Sequence, residues 1–249
     1  ILSPGYKLFT QGVYGSDMFS GFHGMELLYF EFMPLMSLLQ GASVFSLGMG
    51  VMQMRTLPII LGTLTLALSF AIARKITNRT IGVIAMLLLL FWQWTSGNTR
   101  LFGSGIPLLD ITRVARYDIL VAPLGLAAML VWIHARQQGK NIFYWYSGLL
   151  AGLAGMAHVY GMFWILALVI LHTLDELWFE RQAWLRPIGL MISSAAIIWL
   201  GWVAIALINW EYFVECGMIS PEDLDLFITT DDPREGWEFM QKFLNGKTK

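Results

Sequence analysis

The sequence predicts an all-α protein, a polytopic transmembrane helical bundle of about six spanning helices plus a juxtamembrane helix on the exterior face. Three observations carry that expectation. Of 249 residues, 57% are hydrophobic and only 13% charged, with a mean hydropathy of +0.61. A soluble domain is roughly 45–50% apolar and about 25% charged, so too little polar surface remains here to clothe a globule in water. The apolar residues also gather into stretches close to the roughly 20 residues that cross about 30 Å of hydrocarbon. Finally, the connections between stretches alternate in lysine and arginine content, as a consistent topology requires. A net charge of −1 supplies no basic face for neutralising phosphates, and no nucleic-acid partner is expected.

The elements follow in order. Gly5–Gly24 is rich in Gly, Tyr and Phe, which predicts a loop lying in the aromatic headgroup belt. Phe32–Val51 is apolar but holds Pro34, Gln40 and three glycines, and reads as a re-entrant or juxtamembrane helix rather than a crossing. Crossings are expected at Leu57–Ala73, Ile81–Ser96, Ile119–Ala135, Ile142–Ala157, Val159–Leu174 and Ile188–Ile208. Only Ala157-His-Val-Tyr-Gly161 separates the fourth from the fifth, so these two form a tight hairpin or one long bent helix. Residues 1–209 thus make a transmembrane domain. Residues 210–249 make an exterior loop or the start of a following segment, with Ser220-Pro-Glu-Asp223 placed to begin a helix. The chain opens on Ile1 without the charged and apolar regions of a signal peptide, and the polar end Asn245–Lys249 lacks obvious closure. A piece of a longer protein is therefore expected.

Short loops rich in Lys and Arg stay cytoplasmic. Arg74, Lys75 and Arg79 mark one such loop, Arg136 and Lys140 a second, Arg181 and Arg186 a third. The opposite, exterior side then carries the N-terminal stretch through Arg55, the Leu101–Arg116 loop, the hairpin tip at His158 and the tail from Trp210. Asn78-Arg-Thr80 fits a glycosylation sequon but falls on the cytoplasmic side.

Chemistry-bearing residues concentrate outside. Thr112-Arg113-Val-Ala-Arg116-Tyr117-Asp118 is the most informative run. The positive-inside bias should strip arginine from a short exterior loop, yet Arg100, Arg113 and Arg116 remain, and the guanidinium fork suits phosphate. Asp118 lies at the membrane boundary, where a carboxylate is costly unless paired or functional. The competing account is that Arg116 or Arg113 simply pairs with Asp118 or Asp110 to anchor the helix. His158 interrupts a small, apolar run. It either contacts a substrate phosphate or hydroxyl, or, as a lone histidine more often does, caps a turn. His23, Glu26 and Glu31 are weaker candidates for a general base or metal ligands; no H-x-x-x-H spacing supports a metal. Gly148-x-x-x-Gly152 and Gly152-x-x-Gly155 read as packing notches, and Asp175-Glu176 with Glu180 as a wet helix end. The one cysteine, Cys216, forms no internal disulfide, and no Cys/His cluster has zinc spacing.

A family pattern emerges from the order of several short elements. Tyr29-Phe-Glu-Phe-Met-Pro34-Leu35 is followed by Met54-Arg55-Thr-Leu-Pro58, a crossing, and the basic turn Ala73-Arg74-Lys75-Ile76. Then come Arg113, Arg116 and Asp118, and the glycine-rich helix Ala151-Gly-Leu-Ala-Gly155-Met. Over roughly Gly12 to Leu174 this arrangement resembles the polytopic protein mannosyltransferases and the aminoarabinose transferases of lipid A, which share the GT-C membrane fold. The resemblance implies a glycosyltransferase that moves a sugar from a polyprenyl-phosphate donor to a protein, lipid or glycan acceptor with inversion. A carboxylate would deprotonate the acceptor hydroxyl, and arginines or a divalent metal would stabilise the departing lipid phosphate. It places Arg55, Arg113, Arg116, Asp118 and His158 around the donor phosphate, and the setting in a bacterial plasma membrane among its lipids. Two departures stand out. The family's acidic pair follows a first crossing that is not in this sequence, so the catalytic carboxylate is expected upstream of Ile1. Where many members carry Thr-Lys, this chain has Ala157-His158. Rival readings are a transporter or flippase component, against which stands the lack of an internal repeat, and a non-catalytic membrane scaffold. His23, His134, His158 and His172 offer no convincing haem pair.

Overall fold

The computed structural model describes residues 2–19, 25–27, 29, 33–92, 106–114, 116–179 and 185–208, with positions 234, 237–238 and 241. Among these residues it is all-α, without strands. Among the described residues four helices are long and apolar enough to cross a membrane: Val51–Ile76, Asp118–Gln138, Val159–Trp178 and Leu185–Ile205. The protein is an integral multi-pass membrane protein.

Two helices precede the bundle. α1, Leu2–Gln11, packs on α2, Leu35–Leu47. The first overturns the loop expected from Gly5 onward. The reason is the partner: Gly5 and Gly41 bring the two backbones so close that a Cβ on either would strike the other chain. Ser37 Oγ accepts from the Gly5 N–H at 3.0 Å across the seam. Glycine costs helix stability in isolation, and here the close packing of α2 supplies it. At 13 residues, α2 is about 20 Å long, short of the bilayer core.

α3, Val51–Ile76, begins earlier than the apolar run alone indicated and carries Arg55 in its second turn. It contains Pro58, buried, which has no N–H to offer the carbonyl of Met54 four residues back. Gln40 of α2 makes up the loss: its Nε2 donates to Met54 O at 2.6 Å. The residue that made Phe32–Val51 a poor membrane span thus has a definite task.

α3 turns into α4, Arg79–Phe91, at Asn78, whose Oδ1 caps the new helix by accepting from Ile81 N–H at 3.0 Å. Positions 93–96 of the expected second crossing lie outside the described residues. α5, Pro107–Val114, is a short helix where a loop was expected, with Pro at its first position. A 3-10 turn, Tyr117–Leu120, leads into α6, Val121–Gln138, which stops at Gly139 in the left-handed region (φ 64°). α7, Asn141–Ala157, returns, and α9, Leu185–Ile208, runs alongside it. Gly148, Gly152 and Gly155 of α7 face Met191, Ser194, Ala195 and Trp199 of α9, leaving no room for a Cβ. The glycines are packing notches, as read. Ser147 Oγ ties α7 to Ala128 O of α6 at 2.8 Å.

The turn between α7 and α8, Phe163–Trp178, resolves the hairpin question. His158 is extended (φ −161°, ψ 145°), and the 3-10 turn Val159–Met162 folds Gly161 back against Ala154. The two helices are separate.

Contacts also fix the ends of the bundle. Lys75 at the end of α3 lies 3.4 Å from His134 near the end of α6, and Arg136 of α6 meets Asp175 and Glu176 at the end of α8. Together with the starts of α4, α7 and α9, which carry Arg79, Lys140 and Arg186, these form one basic end. Asp175-Glu176 is not the wet helix end expected from its composition: the Glu176 side chain is only 6% exposed, because Arg136 is itself drawn into the seam and needs a counter-charge.

Candidate functional site

The far end, opposite the basic one, collects most of the residues that the sequence marks. A small core of Met36, Leu61, Ile119, Leu120 and Ala157 joins α2, α3, the 117–120 turn and α7 there. Its members neighbour the candidates in sequence. Ile119 follows Asp118, Ala157 precedes His158, and Leu61 lies less than two turns beyond Arg55. The core therefore holds Arg55, Arg116, Asp118 and His158 at one end of the bundle. α5, which packs on α3, brings the backbone of Arg113 to the same region.

Arg116 and Asp118 form a two-pronged ion pair. Nε donates to Oδ1 at 3.2 Å, and Nη2 lies 2.9 Å from Oδ2. The pairing follows from local backbone: Arg116 is extended (ψ 150°) and the chain then tightens into the 3-10 turn, bringing positions two apart face to face. The guanidinium remains 54% exposed and the carboxylate 28%. The pair anchors the entry to α6, while one face of the Arg116 fork stays open to an anion. Arg55 is exposed on α3. His158 Nδ1 accepts from Tyr160 N–H at 3.2 Å, so it caps its turn. Its ring lies over Tyr160, centroids 4.5 Å apart.

Of the weaker candidates, His23 and Glu31 lie outside the described residues. Glu26 serves through its main chain: Lys7 Nζ donates to its carbonyl at 2.8 Å and pairs with Asp17 at 2.5 Å. Backbone bonds Ser16 N–H to Met25 O (2.6 Å) and Tyr29 N–H to Tyr14 O (2.8 Å) clip the same loop to the segment before it. Among the described residues no three His, Cys, Asp or Glu side chains converge as metal ligands. The tail beyond 209 lies outside the described residues apart from four isolated positions.

Two features escaped the sequence reading. Tyr14 is enclosed between the N-terminal segment and α9, edge-on to Trp202 at 6.4 Å. Burial pushes its phenol up to about 12, a hydrogen bond with Ser37 works the other way, and Tyr29 adds to the rise. It remains a protonated donor throughout the physiological range. The second is the buried group at the basic end: Arg136 with Asp175 and Glu176, and beyond them His172 against Trp132 and Tyr144. The alternation of loops puts the end of the third crossing on the same side as the end of the fifth, but it does not indicate the pairing of Arg136 with Asp175 and Glu176.

An open apolar groove of about 470 Å³ runs along α4, lined by Ile84, Leu87, Leu88, Phe91 and Trp92. α4 also touches α5. No protein-family model, curated protein or solved structure matches the chain.

Proposed function

We propose that the protein is the membrane part of a glycosyltransferase that takes a sugar from a polyprenyl-phosphate donor and passes it, with inversion, to an acceptor at the exterior membrane face. One observation carries the reading: Arg55, the Arg113–Asp118 element and His158, far apart in sequence, stand at one end of the bundle, the end without the basic loops. That end is exterior if the Lys- and Arg-rich loops are cytoplasmic.

Arginines held at a membrane boundary suit a phosphate that is itself tethered to lipid. The donor phosphate lies on the open face of Arg116, at the end of the bundle that also carries Arg55 and the α5 backbone at Arg113. The isoprenoid tail follows the apolar groove of α4, whose neighbour α5 bears Arg113. Asp118 keeps Arg116 in place rather than acting as the base, since both carboxylate oxygens are engaged by the guanidinium. A carboxylate acting as general base takes the proton of the acceptor hydroxyl, whose oxygen attacks the anomeric carbon as the lipid phosphate departs.

The test is donor kinetics in the full-length enzyme. Arg113→Ala and Arg116→Ala are each expected to raise the apparent KM for a polyprenyl-phosphate sugar about tenfold or more, the scale of a lost charge-assisted hydrogen bond. Unchanged donor kinetics in both variants removes these arginines from the site.

A further inference from the structure

α8 is held to the bundle by a single stripe. Its buried residues are Leu168, His172 and Glu176, spaced by four and so stacked on one face. Ile170, Leu174, Leu177 and Trp178 are exposed on the remaining circumference. Trp164, one turn before Leu168, extends the stripe by packing on Gly125 of α6, and His172 and Glu176 are the stripe's polar members.

Their surroundings come from three elements. His172 is 0% exposed and packs at right angles to Trp132 of α6 and at a steep angle to Tyr144 of α7, centroids 6.4 and 5.3 Å away. Among the described residues neither of its ring nitrogens has a hydrogen-bond partner, and Trp132 Nε1 has none either. One turn nearer the basic end, Arg136 Nη1 of α6 donates to Glu176 Oε1 at 2.5 Å, and Arg136 also pairs with Asp175. The Arg136 side chain is 14% exposed. Lys75 of α3 turns to His134 on α6. α9 brings no charge to the seam, because Arg186, its one charged residue, is exposed.

We propose that this stripe is a proton-operated latch: α8 is docked while His172 is neutral, and acidification releases it from α6 and α7. A proton on His172 places a full charge where, among the described residues, neither ring nitrogen has a hydrogen-bond partner, and a buried charge without a partner is strongly unfavourable. The helix begins directly after the Val159–Met162 turn that His158 caps. Release at the basic end is therefore transmitted without a linker to the His158 turn at the far end. The latch does not depend on the transferase reading.

Distance measurement between spin labels tests it. The chain has one cysteine, so Cys216→Ser provides a clean background for Lys140→Cys and Trp178→Cys, both at exposed positions of the basic end. In lipid nanodiscs the label separation is expected to widen by about 5 Å, one helical turn, as the medium passes from about pH 7.5 to about pH 5, the range in which histidine changes charge. Adding His172→Phe, which keeps an aromatic ring, is expected to hold the short distance at both values. If that variant fails to fold, His172→Gln takes its place. A separation that does not change with pH overturns the latch, and so does equal widening with and without His172.

Discussion

At the scale of single residues, a polar side chain inside this protein has a main-chain or charged partner to answer, or else stands out. Gln40 answers Pro58. With proline at that position the Met54 carbonyl loses its helical donor, and the Gln40 amide replaces it at 2.6 Å. Gln40→Leu keeps the volume and removes the donor, so it is expected to cost about 1 kcal/mol, measured as a lowered unfolding temperature in detergent. Pro58→Ala in the same background restores an N–H to Met54 and should recover most of the loss. If it does not, the amide has some other role. Arg136 answers Asp175 and Glu176 in the same way, whereas His172 and the neighbouring Trp132 Nε1 have no polar partner among the described residues, a setting the latch explains. None of these pairings was legible from sequence, since each joins positions on different helices whose rotation about their axes no periodicity fixes. The Arg116–Asp118 pair was legible, because it is two residues long and local.

At the scale of elements, close packing by small residues distinguishes seams from lipid-facing surface. Gly148 meets Met191 and Ser194 of α9, while Gly189, on α9 itself, has open space around it. Gly148→Val is expected to destabilise the bundle by roughly 1–3 kcal/mol, the range for overpacking a filled interface. Gly189→Val is expected to change stability by less than about 0.5 kcal/mol. Denaturation of the two variants side by side distinguishes a true seam from a general aversion to valine in these helices. Hydropathy located the long helices well, because a span must be apolar over its whole length whatever it packs against. It failed for α1 and α5. Both are short and mixed in composition, and both are helical because a neighbour completes them: α2 through the Gly5–Gly41 approach, and α3 through Gly62 facing Thr112.

For the whole molecule, the two ends differ in kind. One collects the basic loops and the buried ion pairs, and the other collects α1, α2, α5 and the arginines of the candidate site. The positive-inside rule assigns the first to the cytoplasm. In the Cys216→Ser background, single cysteines at Arg116 and Tyr160 are expected to react with a membrane-impermeant maleimide added to intact cells. Cysteines at Arg79 and Lys140 should react only after permeabilisation. The reverse pattern inverts the topology and takes the proposed site with it. This polarity was readable in the sequence because charge in loops is set by insertion rather than by packing. That Arg55 shares a side with Arg116 and His158 was readable in the same way, whereas the core of Met36, Leu61, Ile119, Leu120 and Ala157 that joins their elements needed the fold. The missing rung at Pro58 gives that grouping a mechanical side as well. The turns of α3 before it are fastened through Gln40 to α2, and α2 is fitted without slack against α1. Arg55 is thus tied to the N-terminal helices as well as to the shaft of α3, so a push on α1 from outside the membrane is also a push on Arg55.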